Sequence, residues 1–159
     1  MVIVPDGINK SSKCHFPLRW PEYWKRPNRV DAFFRNVPIV GLNYRVFDEI
    51  SMQLKDRTPK QFEHAWTNDT EIWKYRDWVS KVICDYLAWP CSLFFPTDPC
   101  EILFWTPNDD LLSAEALLVI SEEYYLPSNF WDDFPNFTYK VLLEQIRSVS
   151  KVECPDCCI

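Results

Sequence analysis

The closing segment of the chain contains two cysteines with the spacing of metal ligands. Cys154 and Cys157 are separated by two residues, as in one half of a structural zinc site. Such a site takes four ligands, and no second pair in the sequence has comparable spacing. We therefore expect no bound metal. The total of seven cysteines is odd, which fits reduced thiols better than a disulfide framework and predicts a cytoplasmic protein.

The two histidines, His15 and His64, are the residues that could activate a cysteine nucleophile. Such a dyad needs a thiolate beside an imidazole that a third group orients. His15 lies in the N-terminal tail region, and His64 lies in the short amphipathic segment QFEHAW, where a packing or surface role is more common. No G-x-S-x-G, H-E-x-x-H or P-loop pattern occurs. We predict that the protein is not an enzyme and binds no cofactor.

The stretch DDLLSAEALLVISEEYY, at 109–125, predicts an amphipathic helix with an acidic first turn, which complements the helix dipole. This helix could present negative charge to a basic protein partner, or its acidic side could be only a solvated face. The stripe predicted to face the core contains Leu111, Ala114, Leu117, Leu118, Tyr124 and Tyr125. The predicted partner-binding residues are Asp109, Asp110, Leu111, Glu115 and Glu122.

The order of elements from residue 70 onward resembles that of an acyl carrier protein. Both have a long helix, a long connection with a short turn, an acidic helix, a loop and a final helix. The second helix of carrier proteins opens with Asp-Ser-Leu, and Asp109, Asp110 and Leu111 stand at those positions. The closing segment FTYKVLLEQI resembles the last carrier helix. The later acidic and aromatic positions of the family's second helix correspond to Glu115, Glu122, Glu123 and Tyr124.

One position departs from the family pattern. Asp110 stands where a carrier protein has the serine that bears phosphopantetheine, and a carboxylate cannot form that phosphodiester. Ser113 lies about one helical turn further along. The resemblance implies a non-catalytic carrier-like interaction module without the prosthetic group, whose partner is a protein with a basic or apolar groove. The alternative, suggested by composition alone, is a small acidic bacterial binding protein of the toxin-immunity type.

Composition limits the classes of partner. The net charge of −6 argues against binding to nucleic acid, although basic residues lie between the aromatic residues of segment 16–41. No apolar run approaches the roughly 20 residues of a membrane span. Two glycines against thirteen prolines argue against hairpin-rich β architectures. With 47% hydrophobic residues and eight tryptophans, the chain can form a packed core.

The sequence predicts an all-α protein, a four-helix acyl-carrier-like bundle with an N-terminal aromatic and Pro-rich extension. The expected order is a flexible tail at 1–15, an aromatic and Pro-rich wrap with short helices at 16–69, the bundle at 70–150 and a Cys-rich tail at 151–159. The predicted anchors of the wrap are Trp20, Tyr23, Trp24, Phe33 and Phe34, and a short helix is expected at 31–36. Longer helices are predicted at 43–56 and 70–89. The apolar side of the first contains Val46, Phe47, Ile50 and Leu54. The apolar side of the second contains Ile72, Tyr75, Val79, Val82, Ile83, Tyr86 and Leu87, and Arg76 is predicted on its solvent-facing side. Thr58 and Thr138 are predicted N-caps, and the last helix is expected to turn Val141, Leu142, Gln145 and Ile146 inward.

Overall fold

The computed structural model describes residues 15–24, 42–107 and 110–152. These ranges are mainly helical and contain no strand, only one isolated β-bridge between Pro99 and Thr138. The predicted all-α class is therefore confirmed. The α-helices in chain order are α1 (Leu42–Lys55), α2 (Pro59–Ala65), α3 (Trp73–Leu87), α4 (Cys100–Leu103), α5 (Asp110–Tyr124) and α6 (Tyr139–Val152). Short 3-10 turns occur at Glu22–Trp24, Thr70–Ile72 and Phe134–Asn136.

Helices α1 and α2 form where the sequence predicts them. Val46 and Ile50 repeat along the predicted face of α1 and are fully buried. Helix α2 begins with a capping box, in which the Thr58 hydroxyl accepts a hydrogen bond from the Gln61 backbone N–H at 3.2 Å. In return the Gln61 side-chain oxygen accepts the Thr58 backbone N–H at 2.9 Å. Pro59 occupies the first turn, where its missing N–H costs nothing.

The predicted helix at 70–89 divides into the 3-10 turn at Thr70–Ile72 and helix α3. Helix α3 ends where Ala88 adopts a left-handed conformation with φ 58°. The N–H of Ala88 donates to the carbonyl of Cys84 at 3.1 Å. Six of the seven residues predicted for its apolar side are buried, namely Ile72, Tyr75, Val79, Val82, Ile83 and Leu87, and Tyr86 is half-buried.

Arg76 does not lie on the solvent-facing side of α3, so this prediction is wrong. Arg76 is 8% exposed. Its guanidinium lies over the rings of Phe62, Trp66 and Trp73, at distances of 4.6, 5.5 and 5.1 Å from the ring centroids. The guanidinium also lies 2.6 Å from the Asp77 carboxylate. Helical periodicity could not show this environment, because α2 and the turn after it contribute two of the rings that cover the cation.

Helix α5 packs by a different face from the predicted one. Leu111 and Leu118 are each 57% exposed and Tyr125 is 74% exposed, whereas Ala116 and Ile120 are fully buried. The predicted inward stripe is therefore wrong at Leu111, Leu118 and Tyr125, and Ala114 is exposed as well. Helix α5 is apolar around most of its circumference, so its periodicity does not single out one inward face.

Helix α6 follows its prediction in part. The Thr138 hydroxyl accepts the backbone N–H of Val141 at 3.4 Å, in agreement with its predicted role as N-cap. Val141 is 36% exposed and Gln145 is also exposed, so these two residues do not face the core. The inward face is displaced by about one residue and is formed by Leu142, Leu143 and Ile146, all fully buried.

The N-terminal segment belongs to the same hydrophobic core as the helices. Residues 15–20 are not helical, and Leu18 and Trp24 pack within one buried cluster that continues through α1, α3, α5 and α6. The predicted anchors Phe33 and Phe34 and the short helix at 31–36 lie outside the described residues. Within the described ranges, none of the helices combines the length and apolarity needed to cross a membrane.

Candidate functional site

The outward face of α5 combines apolar and acidic side chains. Leu111, Glu115, Leu118 and Glu122 follow one another at helical spacing, which places them on one side of the helix. All four residues are exposed. Tyr125 follows directly after the helix and is also exposed. Three of the predicted partner-binding residues, Leu111, Glu115 and Glu122, therefore share one accessible surface, which we call the α5 outer face.

The opposite side of α5 fixes the orientation of this surface. Ala116 and Ile120 are fully buried. The ring of Tyr124 contacts those of Tyr75 and Trp78 on α3, with both centroid distances at 5.4 Å. Burial raises the pKa of Tyr124 to about 12, so its phenol remains neutral at physiological pH. The helix is thus held by an apolar contact and adds no charge on its inner side.

The C-terminal end of α5 is also fixed. Tyr125 has φ 52°, and the N–H of Leu126 donates to the carbonyl of Ser121 at 3.0 Å, which is the bonding of a Schellman motif. The indole N–H of Trp131 donates to the Ser121 hydroxyl at 2.7 Å. These bonds connect the end of α5 to the loop that follows.

The start of α5 contains Asp110, the residue that stands where the carrier proteins have their modified serine. The helix begins at Asp110, and Asp109 lies outside the described residues. The next hydroxyl along the chain is that of Ser113, which is half-buried and donates to the carbonyl of Phe104 at 2.6 Å. This hydroxyl is therefore engaged inside the protein rather than directed to the surface.

Two of the described cysteines, Cys84 and Cys100, differ from those that act as nucleophiles. Cys84, Cys91 and Cys100 are free. Burial raises the pKa of Cys84 to about 12 and raises that of Cys100 as well, so both are protonated thiols at neutral pH. Cys154 and Cys157 lie outside the described residues. In the part of the chain that the structure describes, no group of three or more His, Cys, Asp or Glu residues could hold a metal ion.

The structure brings together the two histidines. The Nε2 atom of His15 lies 2.7 Å from the Nδ1 atom of His64, and the ring of His15 contacts the edge of Phe95 at a centroid distance of 5.3 Å. The pair connects the N-terminal segment to α2. Its geometry is that of a hydrogen bond between two imidazoles, not of a nucleophile and its base.

A buried ion pair lies beside the histidines. The Arg57 guanidinium forms two bonds, of 2.6 and 2.7 Å, with the carboxylate of Asp98, which is fully buried. Asp98 also accepts the backbone N–H groups of Leu18, at 2.9 Å, and Phe95, at 2.7 Å. Arg57 donates in addition to the carbonyl of Phe16 at 3.2 Å. One carboxylate therefore connects three separate stretches of the chain.

No family model, curated protein or solved structure matches this chain. The function is therefore inferred from the residues and their geometry.

Sequence patterns identified α5, but they missed the histidine pair and the ion pair. The partners in these two contacts are 49 and 41 positions apart, and no spacing rule connects positions so distant.

Proposed function

We propose that this protein is a non-catalytic, carrier-like interaction module that binds a protein partner through the α5 outer face. The partner has an apolar groove with a basic rim. The observation that most supports this is the placement of Leu111, Glu115, Leu118 and Glu122 together on the exposed side of one rigidly packed helix. A leucine side chain that becomes buried in a groove contributes through the apolar area removed from water, and the flanking carboxylates favour a basic rim over an acidic one.

The overall charge supports the same class of partner. The net charge of −6 repels nucleic acid and increases the rate of encounter with a basic protein surface. The free thiols of Cys84, Cys91 and Cys100 fit a reducing compartment, and we include a cytoplasmic location in the proposal.

The carrier-like part of the proposal is supported by the order of the helices. Helices α3, α5 and α6 contact one another, α4 interrupts the long connection, and the 3-10 turn at Phe134–Asn136 lies between α5 and α6. In this arrangement α5 corresponds to the second helix of a carrier bundle, and Asp110 to its modified serine. The protein is then a relative that keeps the recognition helix and has lost the attachment point.

The loss of carrier chemistry is tested by mass spectrometry. Incubation with coenzyme A and a broad-specificity phosphopantetheinyl transferase should leave the mass of the wild-type protein unchanged, because Asp110 has no hydroxyl and Ser113 is hydrogen-bonded to Phe104. The Asp110→Ser variant should gain the phosphopantetheine arm. Ser113→Ala in the Asp110→Ser background is the control, and it should be labelled equally. Labelling of the wild-type chain at Ser113 would refute the proposed loss of attachment.

The interaction surface is tested by titration against a partner obtained by photo-crosslinking from position 118. The double variant Leu111→Ser, Leu118→Ser should bind at least about tenfold more weakly, since both apolar contacts are lost. Met52→Ser is the matched control, because Met52 is 62% exposed on α1 and should be neutral. Equal affinity of the double variant and the wild type would refute the proposed surface.

The acidic rim is tested separately with Glu115→Gln and Glu122→Gln. These variants should associate more slowly and show a flatter dependence of affinity on salt, because they remove charge from the edge of the contact. Unchanged kinetics at low salt would contradict a basic rim on the partner. A partner that is itself an enzyme and is inhibited on binding would favour the toxin-immunity alternative instead.

A further inference from the structure

The two histidines of the pair have an unusual hydrogen-bonding environment. His15 Nε2 and His64 Nδ1 are 2.7 Å apart, so one nitrogen must donate and the other accept. The second ring nitrogen of His15, Nδ1, is buried and has no hydrogen-bond partner among the described residues. A bare nitrogen lone pair is tolerated there more easily than an N–H group without an acceptor.

This environment selects one neutral state. His15 donates from Nε2 to Nδ1 of His64 and keeps its own Nδ1 unprotonated; this tautomer is assigned from the hydrogen bonds. A proton added to His15 must occupy the buried Nδ1. A proton added to His64 occupies its Nδ1, so His15 can keep the bond only by moving its own proton to the buried nitrogen. Either protonation therefore places an N–H group where no described residue accepts it.

The charges around the pair act in the same direction. His64 of α2 and the guanidinium of Arg57 both oppose a positive charge on His15. Burial, the charge of His64 and the charge of Arg57 together lower the pKa of His15 from 6.5. The carboxylate of Asp98 is bonded twice to Arg57, and Asp56 lines the same hollow as Arg57.

The histidine contact lies at the very start of the described N-terminal segment. Beyond it, Phe16 is held by the Arg57 bond to its carbonyl, and Leu18 by its N–H bond to Asp98. Phe16 is 65% exposed, so its side chain adds little to the attachment. Phe16, Pro17 and Arg57 line a surface hollow of about 280 Å³. Phe16 therefore forms part of the edge of this hollow.

We propose that His15 and His64 form a proton-operated latch, which holds the start of the N-terminal segment against α2 at neutral pH and releases it in mildly acidic solution. Release frees the His15 ring from α2 and loosens Phe16 at the edge of the hollow beside Arg57. Leu18 remains fixed by Asp98 and by the core, so the opening is local. The latch is independent of the α5 outer face and of any partner bound there.

The direction of the pH dependence follows from the lowered pKa of His15. Above pH 6.5 the imidazole is neutral in both states, and the contact has its full strength. As the pH falls below 6.5 the released segment binds a proton more readily than the attached one, so the contact weakens until the lowered pKa is passed. The equilibrium ratio of attached to released segment falls by up to about tenfold for each unit by which attachment lowers the pKa of His15.

The test is an NMR titration of the full chain from about pH 7.5 to about pH 5.5, a range centred on the ordinary histidine pKa. The chain has two histidines, so each imidazole signal can be followed without overlap. We expect His15 to titrate below 6.5, the nuclear Overhauser contact between the His15 and Phe95 rings to disappear at low pH, and the Phe16 amide to become mobile. Leu142 and Ile146 amides should keep their protection from hydrogen exchange, which separates local release from unfolding.

The matched variants are His64→Gln and His15→Gln. A glutamine amide can donate or accept without titrating, so His15→Gln, which removes the ring with the buried nitrogen, should keep Phe16 equally ordered across the whole range. His64→Gln keeps the buried Nδ1 of His15, so its transition should persist. His64 is exposed, which makes loss of folding in the first variant unexpected. A wild-type His15 that titrates at or above 6.5, a Phe16 amide with constant order, or the same transition in both glutamine variants would each overturn the latch.

Discussion

Two helix ends depend on single residues in an unfavourable backbone conformation. Ala88 after α3 and Tyr125 after α5 have φ of 58° and 52°, a region that glycine normally supplies at helix ends. The chain has two glycines in all, and neither is at these positions. For a residue with a Cβ atom the left-handed conformation costs roughly 1–2 kcal/mol. These positions therefore reduce the stability of the protein without contributing packing, since both residues are exposed.

Ala88→Gly should increase the free energy of unfolding by about 0.5–1 kcal/mol, because glycine relieves the left-handed strain at a small cost in chain entropy. Equilibrium urea unfolding measures the change. Ala114→Gly is the control: Ala114 is exposed within α5, and glycine there should destabilise by about 1 kcal/mol. A loss of stability in both variants would contradict the role assigned to the conformation of Ala88.

Among the elements, α5 differs in exposure between its two sides. Its inner side, with Ala116 and Ile120 fully buried, contributes to the core. Its outer side keeps Leu111 and Leu118 each 57% exposed, and these two leucines lie on the same side of the helix. A helix that served only the core would place polar residues on this side. The division supports the proposed interaction surface.

Substitutions on the two sides of α5 should have unequal effects. Ile120→Ala should lower the free energy of unfolding by about 2–5 kcal/mol, since it leaves a cavity in the core. Leu118→Ala should change it by no more than about 0.5 kcal/mol, because the side chain is mostly exposed. Thermal or urea unfolding of the two variants provides the comparison. Similar losses in both would mean that α5 packs through the stripe predicted from the sequence.

At the scale of the whole molecule, Asp98 unites parts of the chain that are distant in sequence. It bonds Arg57 from the connection between α1 and α2, Leu18 from the N-terminal segment and Phe95 from its own connection. A second link is Tyr139 of α6. Its hydroxyl donates to the backbone carbonyl of Arg76, which belongs to α3, at 3.0 Å. Buried polar contacts thus determine how the N-terminal segment and the helices are arranged.

Asp98→Asn should lower the free energy of unfolding by about 3–5 kcal/mol, because it leaves the buried guanidinium of Arg57 without its counter-charge. Asp132→Asn is the control, since Asp132 is exposed and its change should stay within about 0.5 kcal/mol. Urea unfolding at neutral pH measures both variants. A small effect of Asp98→Asn would show that the ion pair is not what holds the N-terminal segment to the body.

Local sequence signals predicted the features that short-range physics controls. The helical spacing of Val46, Ile50 and Leu54 identified the buried side of α1. The caps at Thr58 and Thr138 each depend on a hydrogen bond from the backbone N–H of the residue three positions later. The exposed acidic positions Glu115 and Glu122 were also predicted from sequence. Such features need only neighbours within one helical turn, so the chain itself determines them.

The tertiary structure decided the rest. Leu118 is exposed because α3 packs against one of several apolar sides of α5, and a helix apolar on most sides does not specify which. Arg76 is buried because rings from elsewhere in the chain enclose it, and Asp98 and the two histidines find partners between 41 and 80 positions away. The sequence by itself determined the helices, their caps and the charge of the molecule. Packing between distant segments decided which helix faces meet and which polar groups pair. Burial and hydrogen bonding act there on residues that are far apart in sequence, so no local sequence pattern predicts the pairs.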